Sequence, residues 1–154
     1  MTTVIQLQVP EGLPLVGASL LSTVVLLVYQ VGVAARARKA AKVPYPQVYA
    51  DKAQEEASLE AKQFNCAQRA HQNTLEWLPS VYLTSVLTAI KYPKLAAVIL
   101  AGWSVTRVIY TKAYSTGNPS KREFGARTGF LLQLGLLGTS FSVVGSGVRS
   151  YLNI

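Results

Sequence analysis

The sequence predicts an all-α integral membrane protein: a four-helix transmembrane bundle forming a single domain over residues 1–154. Three observations lead there. Only 14% of the 154 residues are charged while half are apolar, and the mean hydropathy is +0.27; soluble domains are about one quarter charged. Residues 13–35 carry no charge, and as a helix they reach about 34 Å, enough to cross a hydrocarbon core of about 30 Å. The 15 Lys and Arg outnumber the 7 Asp and Glu, for a net charge of +8. They collect between the apolar runs rather than on one solvated face, which favours membrane lipid over nucleic acid as a partner.

The first helix is expected over residues 13–42. It has no basic segment before it and is longer than a signal-peptide core of about 7–15 residues, so it reads as an uncleaved span. It ends in Arg36, Arg38, Lys39 and Lys42, and Pro44 and Pro46 stop it, since proline lacks the N–H and disfavours helix in the residue before it. Residues 43–64 are charged with mixed sign and read as a hydrophilic loop with room for a short surface helix. A second helix is expected over 65–90, polar in its first turns, with Pro79 kinking or loosening it as membrane helices tolerate. The short connection 91–94 sends a third helix, 95–115, back antiparallel with Arg107 in its middle. Gly117 suits a C-cap and Pro119 cannot continue the helix. A fourth helix is expected over 121–148.

Basic-residue counting orients the chain. Seven basic side chains fall in residues 36–70, and four more, Lys112, Lys121, Arg122 and Arg127, flank the connection between helices three and four. Only Lys91, Lys94 and Arg149 fall on the opposite side. The 1–2 and 3–4 connections are therefore expected in the cytosol.

The chemistry concentrates in RAHQNTLE, residues 69–76. Arg69, Asn73 and Glu76 lie at i, i+4 and i+7 on one helix face. Ionisable groups at membrane depth are costly and mark function by default. A zwitterionic ligand with carboxylates and an amine would satisfy both signs; interhelical ion pairs locking the bundle would also do so. Trp103, Arg107, Tyr110 and Tyr114 form a second face, where the tyrosines read equally as an interfacial belt and Arg107 as a partner for Glu76. At the start of helix four, Lys121, Arg122 and Arg127 are positive-inside anchors or, beside free backbone N–H groups, a site for an anion or thiolate. The Gly125-x-x-x-Gly129 spacing permits close helix contact. Cys66 and His71 are the only residues of their types, which leaves no disulfide and no structural zinc site; Cys66, without an evident base partner, reads as passive.

The stretches FNCAQRAHQNTLE (64–76), ARKAAKVPYPQVY (37–49) and RVIYTKAYSTGNPSKR (107–122) resemble the MAPEG family of membrane glutathione enzymes over about residues 15–145. The resemblance implies a four-helix transmembrane subunit, a homotrimer, and glutathione bound between neighbouring subunits near the cytosolic face. It also implies an endoplasmic reticulum membrane, possible extension to the nuclear envelope, and no metal. Arg38 and Arg69 would hold glutathione carboxylates, while Asn73 and Glu76 would take its backbone and amino group. Tyr110 and Tyr114 would line the site, and His71 stands where relatives have Gln or His. The family's thiolate-stabilising arginine falls at Arg122, with Lys121 the second choice.

The activity so implied is conjugation of glutathione to lipophilic electrophiles, with glutathione-dependent reduction of lipid hydroperoxides and leukotriene C synthase-like activity as an extension. Lys39 stands where that synthase has arginine, and Trp77 where relatives have tyrosine; both bear on eicosanoid chemistry more than on glutathione chemistry. The alternative is a non-enzymatic lipid-binding or scaffold membrane protein of the same fold.

Overall fold

The computed structural model describes residues 10–154, and every described element is helical. Helix α1 (Leu13–Ala41) begins with Pro14 in its first turn, where a missing N–H costs nothing. It stops at Lys42, which adopts a left-handed φ of +53° and returns its N–H to the Arg38 and Lys39 carbonyls. The short helix α2 (Lys52–Ala57) is held by a capping box in which Asp51 and Gln54 exchange hydrogen bonds. Ser58 then ends α2 and caps α3 (Leu59–Ala89), accepting from the Ala61 N–H. Helix α4 spans Pro93–Tyr114. Gly117, at a φ of +84°, turns the chain, a short 3-10 turn covers Pro119–Arg122, and α5 runs Glu123–Leu152.

Two boundaries differ from the sequence expectation. Helix α3 starts at Leu59, not near Asn65, because Ser58 supplies a cap and the following Glu, Ala, Lys and Gln favour helix, with only Ala61 and Phe64 buried there to mark its face. It also continues unbroken through Pro79. The last helix extends past residue 148 and is preceded by the 3-10 turn, so Lys121 and Arg122 lie before α5 rather than in its first turn.

Helix α1 packs on α3 and α4, α4 on α3 and α5, and α3 also on α5. Leu26, Leu78, Val81, Leu100 and Trp103 form the central core, and Val43, Ala50, Ala61 and Phe64 pin the 43–58 segment down. The pattern is inverted relative to a water-soluble protein. Thr23, Gln30, Thr74, Ser85, Thr88 and Thr111 are buried, while Leu21, Val25, Val28, Leu83, Val98, Leu131 and Phe141 face outward. Interhelical hydroxyls inside and leucines outside are what a hydrocarbon solvent favours. Helix α1 and the segment Pro119–Leu152 are each long and apolar enough to cross a membrane.

Close approach of α4 and α5 positions the site. A Cβ at Gly125 would sit 2.7 Å from the Tyr110 backbone nitrogen, and one at Gly129 3.0 Å from Thr106 Oγ1. Only glycine allows these backbones to touch, and the contact carries the 119–122 turn against the end of α4.

Candidate functional site

A cavity of about 320 Å³ opens between α3, α4 and α5, lined by Arg69, Asn73, Trp77, Trp103, Arg107, Tyr110, Arg122, Ala126, Gly129 and Phe130. Its wall contains three arginines and no carboxylate. Arg69 is the one that is paired: its guanidinium grips Glu76 in a forked contact, at 2.6 and 3.2 Å, along the same helix. Both side chains are open to solvent, 42% and 53% exposed, so a ligand can compete for either. Asn73 bridges the pair to the interior. Its amide N–H approaches Glu76 at 3.5 Å, and its Oδ1 accepts from Arg107 Nη2 at 2.9 Å.

Arg122 lies at the end of the 3-10 turn with its guanidinium carbon 4.6 Å over the Tyr114 ring, a cation–π contact that fixes its direction. Tyr114 meets Tyr110 edge to face at 5.6 Å, and Arg107 stacks 4.0 Å over Tyr110. The two guanidinium groups thus bracket a tyrosine pair. Among the described residues neither has a carboxylate within 4.0 Å. Lys121 is exposed and not part of the cavity wall.

Two sequence expectations require correction. Arg69 and Glu76 pair within α3, not between helices, because a spacing of seven places them two turns apart on one face. Arg107 does not pair with Glu76; it is 4% exposed and takes Thr74 Oγ1, Asn73 Oδ1 and the Tyr110 ring instead. Of the other expected residues, Tyr110 is in the wall and Tyr114 lies behind it, while Glu76 sits at the rim through Arg69.

Arg38 and His71 are elsewhere. They line a separate cavity with Val31, Ala34, Ala35, Tyr45 and Gln68, on the α1–α3 side. There Arg38 donates to the Gln47 carbonyl at 2.5 Å and lies between the Tyr45 and Phe64 rings. The segment after α1 is fastened beside this cavity. Asn65 bonds the Ala50 backbone on both sides, and the Tyr49 hydroxyl bonds Gln72 Oε1. Burial raises the Tyr49 phenol above its ordinary pKa, against the opposing pull of the Arg69 guanidinium. Tyr49 is therefore protonated at neutral pH and serves as a hydrogen-bond donor.

Trp77, Trp103, Arg107, Gly129 and Phe130 belong to the cavity but were not among the expected ligand residues. Arg107 carried a signal, a charge in mid-helix. Trp103 carried its helical spacing with Arg107 and Tyr110, and Trp77 its place where relatives have tyrosine; Phe130 carried none, since Phe in an apolar run reads as ordinary core. Trp77 and Phe130 meet edge to face at 6.2 Å at the apolar end, opposite the polar end formed by Arg69, Asn73 and Arg122.

A family model described as the MAPEG family matches residues 16–142, which includes every helix that lines the cavity. Members of that family are membrane proteins that generally bind glutathione and form oligomers, and they include glutathione transferases, peroxidases and leukotriene synthases.

Proposed function

This chain belongs to the MAPEG family, and from that premise we propose that it is a membrane glutathione transferase. It joins glutathione to lipophilic electrophiles and reduces lipid hydroperoxides with glutathione as the electron donor. The observation that carries the reading is the arginine-rich cavity, with Arg122 unpaired and stacked on Tyr114 at the polar end.

The chemistry follows from charge. A thiol of pKa about 8.5 is mostly protonated at neutral pH, and only the thiolate is a strong nucleophile. A permanently charged guanidinium beside the sulfur favours the ionised form. In this reading Arg122 holds the thiolate, Lys121 remains at the membrane surface, and Arg69, Asn73 and Glu76 hold the tripeptide's carboxylate, backbone and amino group. Tyr110 forms the wall between, with Tyr114 behind it. The electrophile arrives from the bilayer past Trp77 and Phe130, and glutathione from the cytosol.

Arg38 and His71 support an oligomeric reading. They belong to the same ligand set by resemblance, yet they line a different cavity of the chain. One copy lends them to the cavity of the next, in a homotrimer of four-helix transmembrane subunits. In this reading the subunit is similar to microsomal glutathione S-transferase 3 and lies in the endoplasmic reticulum membrane with the 42–58 and 115–122 connections in the cytosol, an orientation supported by the basic-residue asymmetry. Leukotriene C synthase-like activity is an extension of the same chemistry.

The test is ultraviolet difference absorption on adding glutathione to the detergent-solubilised protein. The expected result is a thiolate band near neutral pH, together with turnover of a lipophilic electrophile. Binding without turnover would favour a lipid-presenting scaffold of the same fold, and absence of binding would overturn the reading.

A further inference from the structure

Arg107 has no role in the glutathione set above, yet its buried guanidinium is held by two hydrogen bonds and an aromatic ring. Thr74 holds its guanidinium, and Thr111 bonds its backbone. Thr74 Oγ1 accepts from the Arg107 Nε at 3.0 Å, and Thr111 Oγ1 donates to the Arg107 carbonyl at 2.7 Å. Both threonines are tied to one residue of α1, the fully buried Gln30, whose Nε2 donates to Thr74 Oγ1 at 2.8 Å and to Thr111 Oγ1 at 2.7 Å. The amide nitrogen must face them, because each hydroxyl has committed its own proton to a backbone carbonyl, Thr74 to Ala70 and Thr111 to Arg107. Three helices thus converge to hold one guanidinium in the cavity wall.

That guanidinium is not saturated. Nε and Nη2 have partners, but no carboxylate neutralises it, and it stands at the boundary between the polar end and the aromatic end of Trp77, Trp103 and Phe130. A buried cation kept without a counter-ion is suited to an anion that comes and goes with the ligand. Arg107 and Arg122 line the same cavity, so an anion facing Arg107 shares that cavity with a thiol held at Arg122. The anionic oxygen is therefore one close to the reacting centre.

We propose that Arg107, positioned by Asn73 and by Thr74 with Gln30 behind it, stabilises the oxygen on which negative charge builds when the thiolate attacks, and that the electrophiles it favours are conjugated carbonyl compounds. In that step the sulfur lone pair forms the C–S bond at the β-carbon. The carbon–carbon π pair shifts, the carbonyl oxygen becomes an enolate oxygen facing Arg107, and water then supplies a proton to the α-carbon. Nothing is oxidised or reduced. The inference rests on the glutathione transferase reading and assigns the substrate class of the same cavity.

The experiment compares trans-2-nonenal, which places charge on oxygen, with 1-iodohexane, which releases iodide and has no oxygen. In the full-length protein Arg107→Met should lower kcat for the enal about 100-fold, the effect of losing an oxyanion donor. The glutathione thiolate band should persist, and the iodide reaction should fall far less. Thr74→Val should lower the enal-to-iodide rate ratio in the same sense, and Thr74→Ser, which keeps the hydroxyl, should restore it. If Arg107→Met does not fold, the Thr74 pair decides the matter by that ratio. Equal slowing of both electrophiles, or loss of the thiolate band, would overturn the proposal while leaving the transferase reading intact. A wild-type protein that binds no glutathione would instead remove the reading beneath it.

Discussion

The two halves of the helix packing use polar residues in opposite ways. Toward the 90–93 connection the buried polar contacts are neutral: Thr88 with Thr139 at 2.9 Å and Gln133 with Thr84 at 3.4 Å, and nearer the middle Thr23 with Tyr82 at 2.6 Å and Ser22 with Ser104 at 3.0 Å. Toward the 115–122 connection the contacts form a charged chain, from Arg107 through Asn73 to Glu76 and Arg69, with Arg122 unpaired beside it. Both halves pair polar groups that hydrocarbon would not solvate, with Ser85 Oγ and Gln133 Oε1 in the neutral half left without a partner among the described residues. The difference is spare capacity: a hydroxyl pair is closed, whereas an arginine with free N–H groups next to a cavity still has bonds to give. That distinction, rather than polarity itself, separates glue from site.

The comparison can be broken in graded steps. The largest effect is expected at Arg122. Arg122→Ala should remove the thiolate band and lower kcat by about 10²–10³-fold, with little change in glutathione affinity at low pH, because the lost interaction is made with the charged sulfur. Lys121→Ala should change neither by more than a few-fold; the reverse pattern would put the thiolate site one residue earlier. Next come Arg69→Ala and Glu76→Ala, each expected to weaken glutathione binding by roughly 10- to 100-fold in titration calorimetry, the range for hydrogen bonds to charged groups. Normal binding by either variant would make the Arg69–Glu76 pair structural.

Gly125→Ala should act on the scaffold between the halves. Its Cβ would fall 2.7 Å from the Tyr110 backbone, and overpacking of this kind costs typically 1–3 kcal/mol. The expected readouts are a lower thermal midpoint and a weakened thiolate band, as Arg122 is displaced from Tyr114. The smallest effect belongs to the glue. Thr23→Val removes the bond to Tyr82 and should cost about 0.6 kcal/mol, the average for interhelical bonds in a membrane protein, with kcat unchanged. A large loss of activity there would erase the distinction between the halves.

Much of the frame was legible in the sequence because its signals are local. Pro44, Pro46, Gly117 and Pro119 punctuate the chain, and a 3.6-residue period places Arg69, Asn73 and Glu76 on one face whatever the tertiary structure. The Gly125–Gly129 spacing announced a close helix contact. What stayed hidden depends on partners distant in sequence. Nothing near Gln30 shows that its amide reaches Thr74 and Thr111. Nothing near Arg38 shows that it lies beside Phe64, away from the α3–α4–α5 cavity. The start of α3 was missed for a different reason: its first turns bury only Ala61 and Phe64 among polar and charged neighbours, too sparse an apolar period to read.

The clamp on Arg107 also determines when conformational entropy is spent. A free arginine side chain carries about 2 kcal/mol of rotamer entropy, and a binding site built from mobile arginines loses part of that each time a ligand arrives. Here Thr74, backed by Gln30, together with Asn73 and the Tyr110 ring immobilises the side chain before any ligand enters. The ordering cost is met once, when the chain folds, so a ligand encounters a guanidinium whose direction is already chosen.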